Sequence, residues 1–289
     1  MILKYYNRTL LFLYASLTLF FLACEKELTL DIPYEPPKLV VEGWIELGKY
    51  PEVILSLSAP YFVEIDSQSI FDYAVSRAKV SVIAEPVSEI LTLRPNKNYF
   101  PPLVYRGMEF TGETNRVYSL EIIYNSDTIT AATMIPEPVD LDSVWFKPQQ
   151  ENDSSGQVWI RIHDDPEREN FYRILFKCRG KDDRYIPPFT SVFNDKFFDG
   201  NTIELGFLKG FSNMLDVEQD NNFYLGDTID VKFCSIDKEQ YDFWNAYQIE
   251  VISAINPFSA SNFRIESNIL GGIGIWGGYS AGYYTVIAE

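Results

Sequence analysis

Residues 116–136 read RVYSLEIIYNSDTITAATMIP, and two runs rich in β-branched and aromatic residues flank Asn125-Ser126-Asp127. Asparagine and aspartate tolerate the left-handed backbone conformation of a tight turn, so this segment predicts a β-hairpin. The segment decides the fold class, because short runs of the same kind recur before and after it. The sequence therefore predicts a mainly β protein.

Alternating apolar and polar positions predict the other strands. In residues 156–164, for example, Val158, Ile160 and Ile162 share one face of a strand. We expect residues 89–95 to pair with 78–85, and the N-terminal half to form a sandwich of immunoglobulin-like or transthyretin-like form. The predicted strands are 38–47, 52–59, 78–85, 89–95, 116–124, 127–136, 143–148, 156–164, 170–178, 201–207, 228–234 and the glycine-rich 271–289.

Two prolines and three acidic residues in 135–143 (IPEPVDLDS) predict a domain boundary. We therefore expect two β-sandwich-like domains, at 38–136 and 142–289. The second domain contains the one predicted amphipathic helix, residues 237–255, which begins with Asp237 and Gln240 in the spacing of a capping box. Its apolar stripe consists of Tyr241, Trp244, Tyr247, Gln248, Val251 and Ile255.

The N-terminus has the pattern of an export signal. A basic start is followed by an apolar run over 10–22, by Ala23 and by Cys24. The run is shorter than the roughly 20 residues that cross a bilayer. Residues 1–23 are predicted to be a lipoprotein signal peptide, with Cys24 acylated by palmitate-like chains that hold the protein on outer-membrane lipid. An ordinary secretory cleavage nearby is the alternative.

Residues 24–37 combine prolines with charges and predict an extended tether. Its first charges, Glu25-Lys26-Glu27, are typical of a signal that directs lipoproteins to the cell surface, or are simply part of a charged tether that leaves the periplasmic face open. The formal net charge of −17 argues against nucleic acid as a partner, because both are negatively charged.

Two cysteines remain after Cys24, and both lie in predicted strands. Cys178 and Cys234 are small apolar residues that a β core accommodates. An exported protein also permits a disulfide between them. The sequence favours a buried, unbridged pair and leaves the disulfide as the alternative.

Catalytic patterns are scarce. The single histidine, His163, lies on the expected outer face of a strand, and the sequence has no nucleophile elbow, Walker loop, zinc spacing or dinucleotide fingerprint. A carboxylate-based hydrolase of glycans or peptides would have to use turn acids. The candidates are Asp164, Asp165, Glu167, Asp182 and Asp183.

One acidic loop has the alternating oxygen ligands of a calcium site. Residues 216–227 lack the glycine expected at the sixth position and end in aspartate rather than glutamate, so a solvated loop is the alternative. The candidate ligands are Asp216, Glu218, Asp220, Asn222 and Asp227.

Aromatic residues are concentrated in an irregular stretch around Pro187-Pro188. On the loops of a β-sandwich they would bind a ligand or a partner protein, whereas under a long loop they would fill the core. The candidates are Tyr185, Phe189, Phe193, Phe197 and Phe198.

Several longer segments resemble the Bacteroidota lipoproteins grouped as domain of unknown function 4249. They are PKLVVEGWI (37–45), HDDPERENFYRI (163–174), SVFNDKFFDGNTIEL (191–205), GDTIDVKFCSIDKEQYDFW (226–244) and NPFSASNFRIESNILGGIGIWGGY (256–279). Trp276 stands where that family commonly has phenylalanine. The resemblance implies two β-rich domains anchored at the outer membrane and an accessory role beside a TonB-dependent β-barrel receptor, and it supplies no catalytic residues.

The leading expectation is thus a non-enzymatic, lipid-anchored binding or accessory protein of the outer membrane that takes part in nutrient capture or uptake. The alternatives are the carboxylate-based hydrolase, with or without calcium, and a purely structural envelope component.

Overall fold

The computed structural model describes residues 36–59, 70–99, 101–150, 153–210, 221–255 and 265–289. These residues form sixteen strands and two helices, which confirms the prediction of a mainly β, sandwich-type fold.

The elements follow one another from a β-rich N-terminal half to a C-terminal half with one long helix. In chain order they are β1 (Leu39–Glu46), β2 (Glu52–Leu57), α1 (Ile70–Tyr73), β3 (Lys79–Ala84), β4 (Val87–Ile90), β5 (Thr92–Pro95), β6 (Leu103–Arg106), β7 (Val117–Tyr124), β8 (Asp127–Met134), β9 (Ser143–Pro148), β10 (Ser155–His163), β11 (Phe171–Cys178), β12 (Val192–Asn194), β13 (Thr202–Phe207), β14 (Phe223–Tyr224), β15 (Thr228–Ile236), α2 (Lys238–Ile255) and β16 (Ile273–Ile287).

An eight-stranded sheet is the centre of the structure, in the order β12-β11-β15-β16-β1-β2-β6-β5. Its long strand β16 pairs in parallel with β1 through residues 273–279 and antiparallel with β15 through residues 280–287. One sheet therefore contains strands from both of the predicted domains, and Pro37–Glu289 form one compact unit.

Two smaller sheets pack on the same face of this large sheet. The sheet β4-β3-β7-β8 closes an N-terminal core that includes Val41, Leu120 and the fully buried Trp276, whose indole Nε1 donates to the Tyr118 carbonyl at 2.9 Å. The sheet of β9, β10, β13 and β14 closes a C-terminal core around residues such as Ile174. Each predicted half thus has its own core, and the large sheet is shared between them.

The predicted hairpin is confirmed. Strands β7 and β8 are joined by Asn125 and Ser126, and Asn125 has φ 54°, the left-handed conformation for which asparagine is suited. The expectation that residues 89–95 continue along 78–85 holds only for β4. After the buried Leu91 the chain crosses to the large sheet, where β5 pairs with β6.

The opposite face of the large sheet carries helix α2. The Asp237 carboxylate accepts the backbone N–H of Gln240 at 2.8 Å, which caps the helix where the sequence predicts. A small apolar cluster, with Phe171 and Ile236 on the sheet and Trp244 on the helix, lies between them. Because a strand alternates its side chains between two faces, the residues that alternate with the two cores face this helix.

Candidate functional site

A cavity of about 670 Å³ lies between the large sheet and helix α2, and the segment 183–189 forms part of its wall. Its volume is within the range of roughly 300–1,000 Å³ that is usual for small-molecule sites. The floor carries several charged side chains, although it belongs to strands whose other face is apolar. Its charged residues are Glu42, Glu46, Glu52, Arg173, Lys177 and Lys232.

Helix α2 is attached to the sheet at its first turn. The buried Gln240 side chain donates from Nε2 to the Gly278 carbonyl at 2.7 Å, and it lies over Gly277, where a Cβ would come within 2.3 Å of Gln240 Oε1. Further along the helix, Gln248 Oε1 accepts the backbone N–H of Ser191 at 3.0 Å. These contacts hold the helix above the sheet and leave the space between them open.

One group of charges on the floor is fully paired within the protein. The buried Glu46 carboxylate accepts from Lys232 Nζ at 2.8 Å and from the Tyr283 hydroxyl at 2.5 Å, and it lies 2.7 Å from Lys49 Nζ. Lys232 also donates to the Tyr279 hydroxyl at 2.9 Å. We call these five residues the Glu46 cluster.

The cluster fixes the charge state of its members. Burial by itself raises the pKa of Glu46, but the charge and hydrogen bond of Lys232, together with the other two hydrogen bonds, outweigh it and lower the pKa below 4.5. Burial and the charge of Glu46 raise the pKa of Tyr279 well above 10. Glu46 is therefore ionised and Tyr279 neutral at physiological pH.

Arg173 is half-buried and incompletely paired. The face of its guanidinium lies on the Trp244 ring, with Cζ 3.6 Å from the ring centroid, while its Nε is buried without a hydrogen-bond partner. Burial lowers the pKa of Arg173 below 12.5, although nearby negative groups such as Glu42 oppose the shift. A buried N–H without an acceptor is unfavourable. The accessible remainder of the guanidinium lines the cavity.

Glu42 is open to the cavity, and none of the described residues forms a hydrogen bond or ion pair with its carboxylate. The surrounding walls nonetheless desolvate it, and this raises the pKa of Glu42 above 4.5 against the opposing charges of Arg173 and Arg184. The cavity thus contains an unpaired carboxylate close to an incompletely paired guanidinium.

Aromatic rings complete the walls. The Trp44 and Tyr99 rings lie 5.4 Å apart, and the Tyr99 hydroxyl donates to Glu52 Oε2 at 2.9 Å. The Tyr185 and Tyr283 rings meet edge to face at 6.2 Å. Such walls bind the apolar parts of a ligand and leave its polar groups to the floor.

The structure separates the five aromatic residues proposed from the sequence. Tyr185 and Phe189 line the cavity. Phe193 packs on the rings of the C-terminal core, and Phe198 is buried in the same core. Phe197 is 90% exposed at the surface.

The described residues include two of the five proposed calcium ligands. Asp216, Glu218 and Asp220 lie outside the described residues. Asn222 accepts from a glutamine amide at 3.1 Å, and Asp227 pairs with a lysine at 2.6 Å. Over the described part of the chain, no three His, Cys, Asp or Glu side chains group as metal ligands do. The calcium site stays a prediction.

The turn acids proposed for a hydrolase lie in separate surroundings. Asp164 is buried and accepts from a tyrosine hydroxyl at 3.0 Å, whereas Asp165 pairs with an exposed arginine at 2.9 Å. Asp182 pairs with a lysine at 2.7 Å, Glu167 is exposed, and Asp183 lies on the cavity wall. Of this set only Asp183 belongs to the cavity.

The histidine and the two cysteines are placed as expected. His163 is exposed and its Nδ1 lies 3.0 Å from Thr202 Oγ1. Cys178 and Cys234 are free and buried. They point to opposite faces of the β11–β15 pair, because Cys178 belongs to the C-terminal core and Cys234 to the cavity side.

Sequence reasoning missed Glu42, Arg173 and Lys232. On strands with one apolar face, charges at the alternate positions indicate a solvent-exposed face. The apolar stripe of the helix was the signal that could have identified them. The stripe must pack on a sheet face, and because the two cores occupy one face of the large sheet, the helix covers the other face, which carries these charges.

No helix in the described ranges is both long enough and apolar enough to cross a bilayer. The sequence profile of the family described as Domain of unknown function (DUF4249) matches residues 25–285. A search of curated proteins found no match.

Proposed function

This chain belongs to the DUF4249 family, and we propose that it is a lipid-anchored binding protein of the outer membrane that captures a small soluble ligand in the cavity under helix α2. In this proposal it serves a TonB-dependent transporter in nutrient uptake and catalyses no reaction. Cys24 is the lipid attachment point.

The observation that carries the binding proposal is that the cavity is lined by two incompletely paired charged groups, the Arg173 guanidinium and the Glu42 carboxylate. The Glu46 cluster shows that buried charges on this sheet face are compensated when the protein itself provides partners. Arg173 Nε has none, although it lies among the walls of a cavity of about 670 Å³. A ligand in the cavity would provide an acceptor for the accessible part of the guanidinium.

The anchoring proposal is supported by the sequence before the folded unit. The basic start, the short apolar run and Ala23-Cys24 have the order of a lipoprotein signal. The family match begins at residue 25, immediately after the cysteine. Replacing Cys24 with alanine should move the chain from the membrane to the soluble fraction, and retention of the variant on the membrane would contradict the anchor.

A thermal-shift screen of the detergent-solubilised full chain tests ligand capture. The panel contains peptides, neutral oligosaccharides, dicarboxylates and nucleotides. A ligand at one hundred times its Kd stabilises the folded state by about 2.7 kcal/mol, which is readily measured. We expect at least one class to raise the unfolding temperature in a saturable way.

Two leucine substitutions locate the binding. Leu175 lies on the cavity floor, so Leu175→Trp fills the space, whereas Leu225→Trp adds the same indole at an exposed position. Binding should be lost in the first variant and kept in the second. Absence of any saturable shift, or equal binding by both variants, would remove the cavity as the site.

The transporter association has its own test. After mild crosslinking and detergent extraction, the full chain should co-purify with a large β-barrel protein, and the Cys24→Ala variant should not. Recovery of the anchored chain alone would contradict this part of the proposal.

A carboxylate hydrolase is the second candidate. The observation that favours it is that the pKa of Glu42 is raised while that of Glu46 on the same strand face is lowered, as in acid–base pairs of glycosidases. Glu46, however, is bound by two lysines and a tyrosine, which hold it ionised and occupy most of its hydrogen-bonding capacity. Turnover of an oligosaccharide or peptide that disappears in Glu42→Gln would favour this candidate over simple binding.

A further inference from the structure

On the sheet floor of the cavity, one cation and one anion lack partners, and the exposed Asp183 on the wall is a further acid. The Glu46 cluster satisfies Glu46, Lys49 and Lys232 internally. Glu52 is bound by the Tyr99 hydroxyl, and Lys177 donates to the Asp183 carbonyl. On the floor this leaves Arg173 Nε and the Glu42 carboxylate without hydrogen-bond partners among the described residues.

The Arg173 guanidinium is oriented as an anion receptor. Its face is covered by Trp244 at 3.6 Å, so only the edge that carries its N–H groups remains for hydrogen bonding. A carboxylate matches this edge geometrically and forms charge-assisted hydrogen bonds with it. Because Nε itself is buried, a carboxylate that binds from the cavity would contact the accessible part of the guanidinium.

Glu42 provides the opposite charge in the same cavity. Its carboxylate is accessible from the cavity, and it interacts electrostatically with Arg173. A carboxylate accepts hydrogen bonds only, so its complement is an ammonium or another donor group. A ligand with negative charges alone would be repelled by Glu42, and an uncharged ligand would leave both ions without a charged hydrogen-bond partner.

We infer that the cavity binds short peptides with free termini, the C-terminal carboxylate on Arg173 and the N-terminal ammonium on Glu42. This inference rests on the proposed binding function. A cavity of about 670 Å³ is of the size that holds drug-sized ligands, which corresponds to about two to four residues. The aromatic walls at Trp44, Tyr99 and Tyr247 receive the apolar side chains.

Isothermal titration of the detergent-solubilised full chain with trileucine tests both contacts. Three further peptides are compared with it: trileucine amide, N-acetyl-trileucine and the doubly capped form. Loss of a hydrogen bond to a charged group should weaken binding by about ten- to a hundredfold for each cap. Equal affinities for the free and capped peptides would overturn the inference.

Variants then assign each terminus to its residue. In Arg173→Gln, affinity for trileucine should fall to that of the amide, and amidation should have no further effect. Arg173→Lys retains the charge without the planar donor edge, so its affinity for trileucine should lie between those of the unmodified chain and of Arg173→Gln. In Glu42→Gln, N-acetylation should have no further effect. The assignment is contradicted if amidation still weakens binding to Arg173→Gln, or if N-acetylation still weakens binding to Glu42→Gln.

Matched controls lie outside the cavity on another sheet. Arg161 and Glu204 pair at 2.5 Å and are 48% and 43% exposed, so Arg161→Gln and Glu204→Gln make the same chemical changes at a distance. Both should bind trileucine like the unmodified chain. Unfolding temperatures of all variants check folding, and the cap series on the unmodified chain decides the question if Arg173→Gln does not fold.

The panel also separates this inference from the proposed function. If maltotriose or succinate binds, Leu175→Trp abolishes that binding and trileucine does not bind, the peptide inference falls and ligand capture stands. If no compound binds, both fall.

Discussion

Replacing Glu46 with glutamine should destabilise the folded protein by removing one member of a buried ion pair. The side chains of Glu46 and Lys232 are 5% and 13% exposed and lie 2.8 Å apart. Removing one partner of such a pair leaves the other charge buried and uncompensated, which costs about 3–5 kcal/mol. Lys49 adds little, about 0–1 kcal/mol, because its side chain is 55% exposed.

Urea unfolding followed by tryptophan fluorescence measures this loss in detergent solution. The free energy of unfolding at neutral pH should fall by about 3–5 kcal/mol in Glu46→Gln and by a similar amount in Lys232→Met. The double variant Glu46→Leu/Lys232→Met removes both charges, so its loss should be smaller than the sum of the two single losses. A coupling energy below about 1 kcal/mol would refute the buried-pair argument.

The pH dependence gives an independent check. Since the folded-state pKa of Glu46 lies below its ordinary value of 4.5, its stabilising contribution is present above that value and is lost as the pH falls through the folded-state pKa. The stability difference between the unmodified chain and Glu46→Gln should therefore shrink in acid. The exposed pair Arg161–Glu204 is the control, and breaking it should change stability by at most about 1 kcal/mol.

Three further substitutions test other features of the fold. Glu42→Gln should raise the unfolding temperature at neutral pH, because the raised pKa of Glu42 means that its ionisation opposes folding. The gain in unfolding temperature should vanish below pH 4.5, where the glutamate is protonated in both the folded and the unfolded state. A gain that persists at that pH contradicts the argument. Gly274→Ala should lower the free energy of unfolding in urea by about 3 kcal/mol or more, since φ is +122° and a Cβ would lie 1.9 Å from the Val41 carbonyl oxygen. Gly48→Ala is the control: φ is +73° but the surrounding space is open, so the loss should be only about 1–2 kcal/mol. Asn125→Ala should lower the free energy of unfolding by about 1 kcal/mol, because alanine is strained at the left-handed turn position, while Asn125→Gly should not lower it. Equal stabilities of the alanine and glycine variants would show that the turn tolerates any residue.

Local patterns of the sequence were sufficient for most strands and for the helix. A strand alternates with period two and a helix with 3.6, so the burial of Val158, Ile160 and Ile162 follows from their spacing alone. The turn at Asn125 and the cap at Asp237 are equally local, since each depends on a few adjacent residues.

Pairing between distant strands could not be predicted in this way. Strands β1 and β16 are separated by most of the chain, and their parallel register, Val41 opposite Gly274, depends on the packing of both cores. The glycine-rich segment is part of this strand because Gly274 and Gly277 allow the backbone of β1 and the side chain of Gln240 to approach closely. A local pattern contains no information on those neighbours.

The cavity could not be predicted either, because it too depends on packing between elements that are distant in the sequence. Helix α2 brings an apolar stripe to a sheet face, and an apolar floor would satisfy it, yet the floor carries charges. A place where local rules and tertiary packing disagree is where a functional site is expected. The charges of the Glu46 cluster are paired within the protein, whereas Arg173 and Glu42 are not fully paired. If Glu42→Gln gains stability and at the same time loses recognition of an ammonium group, then the charge of Glu42 serves binding at the expense of folding. A variant that gains stability and binds as before would make the charge a mere imperfection of packing.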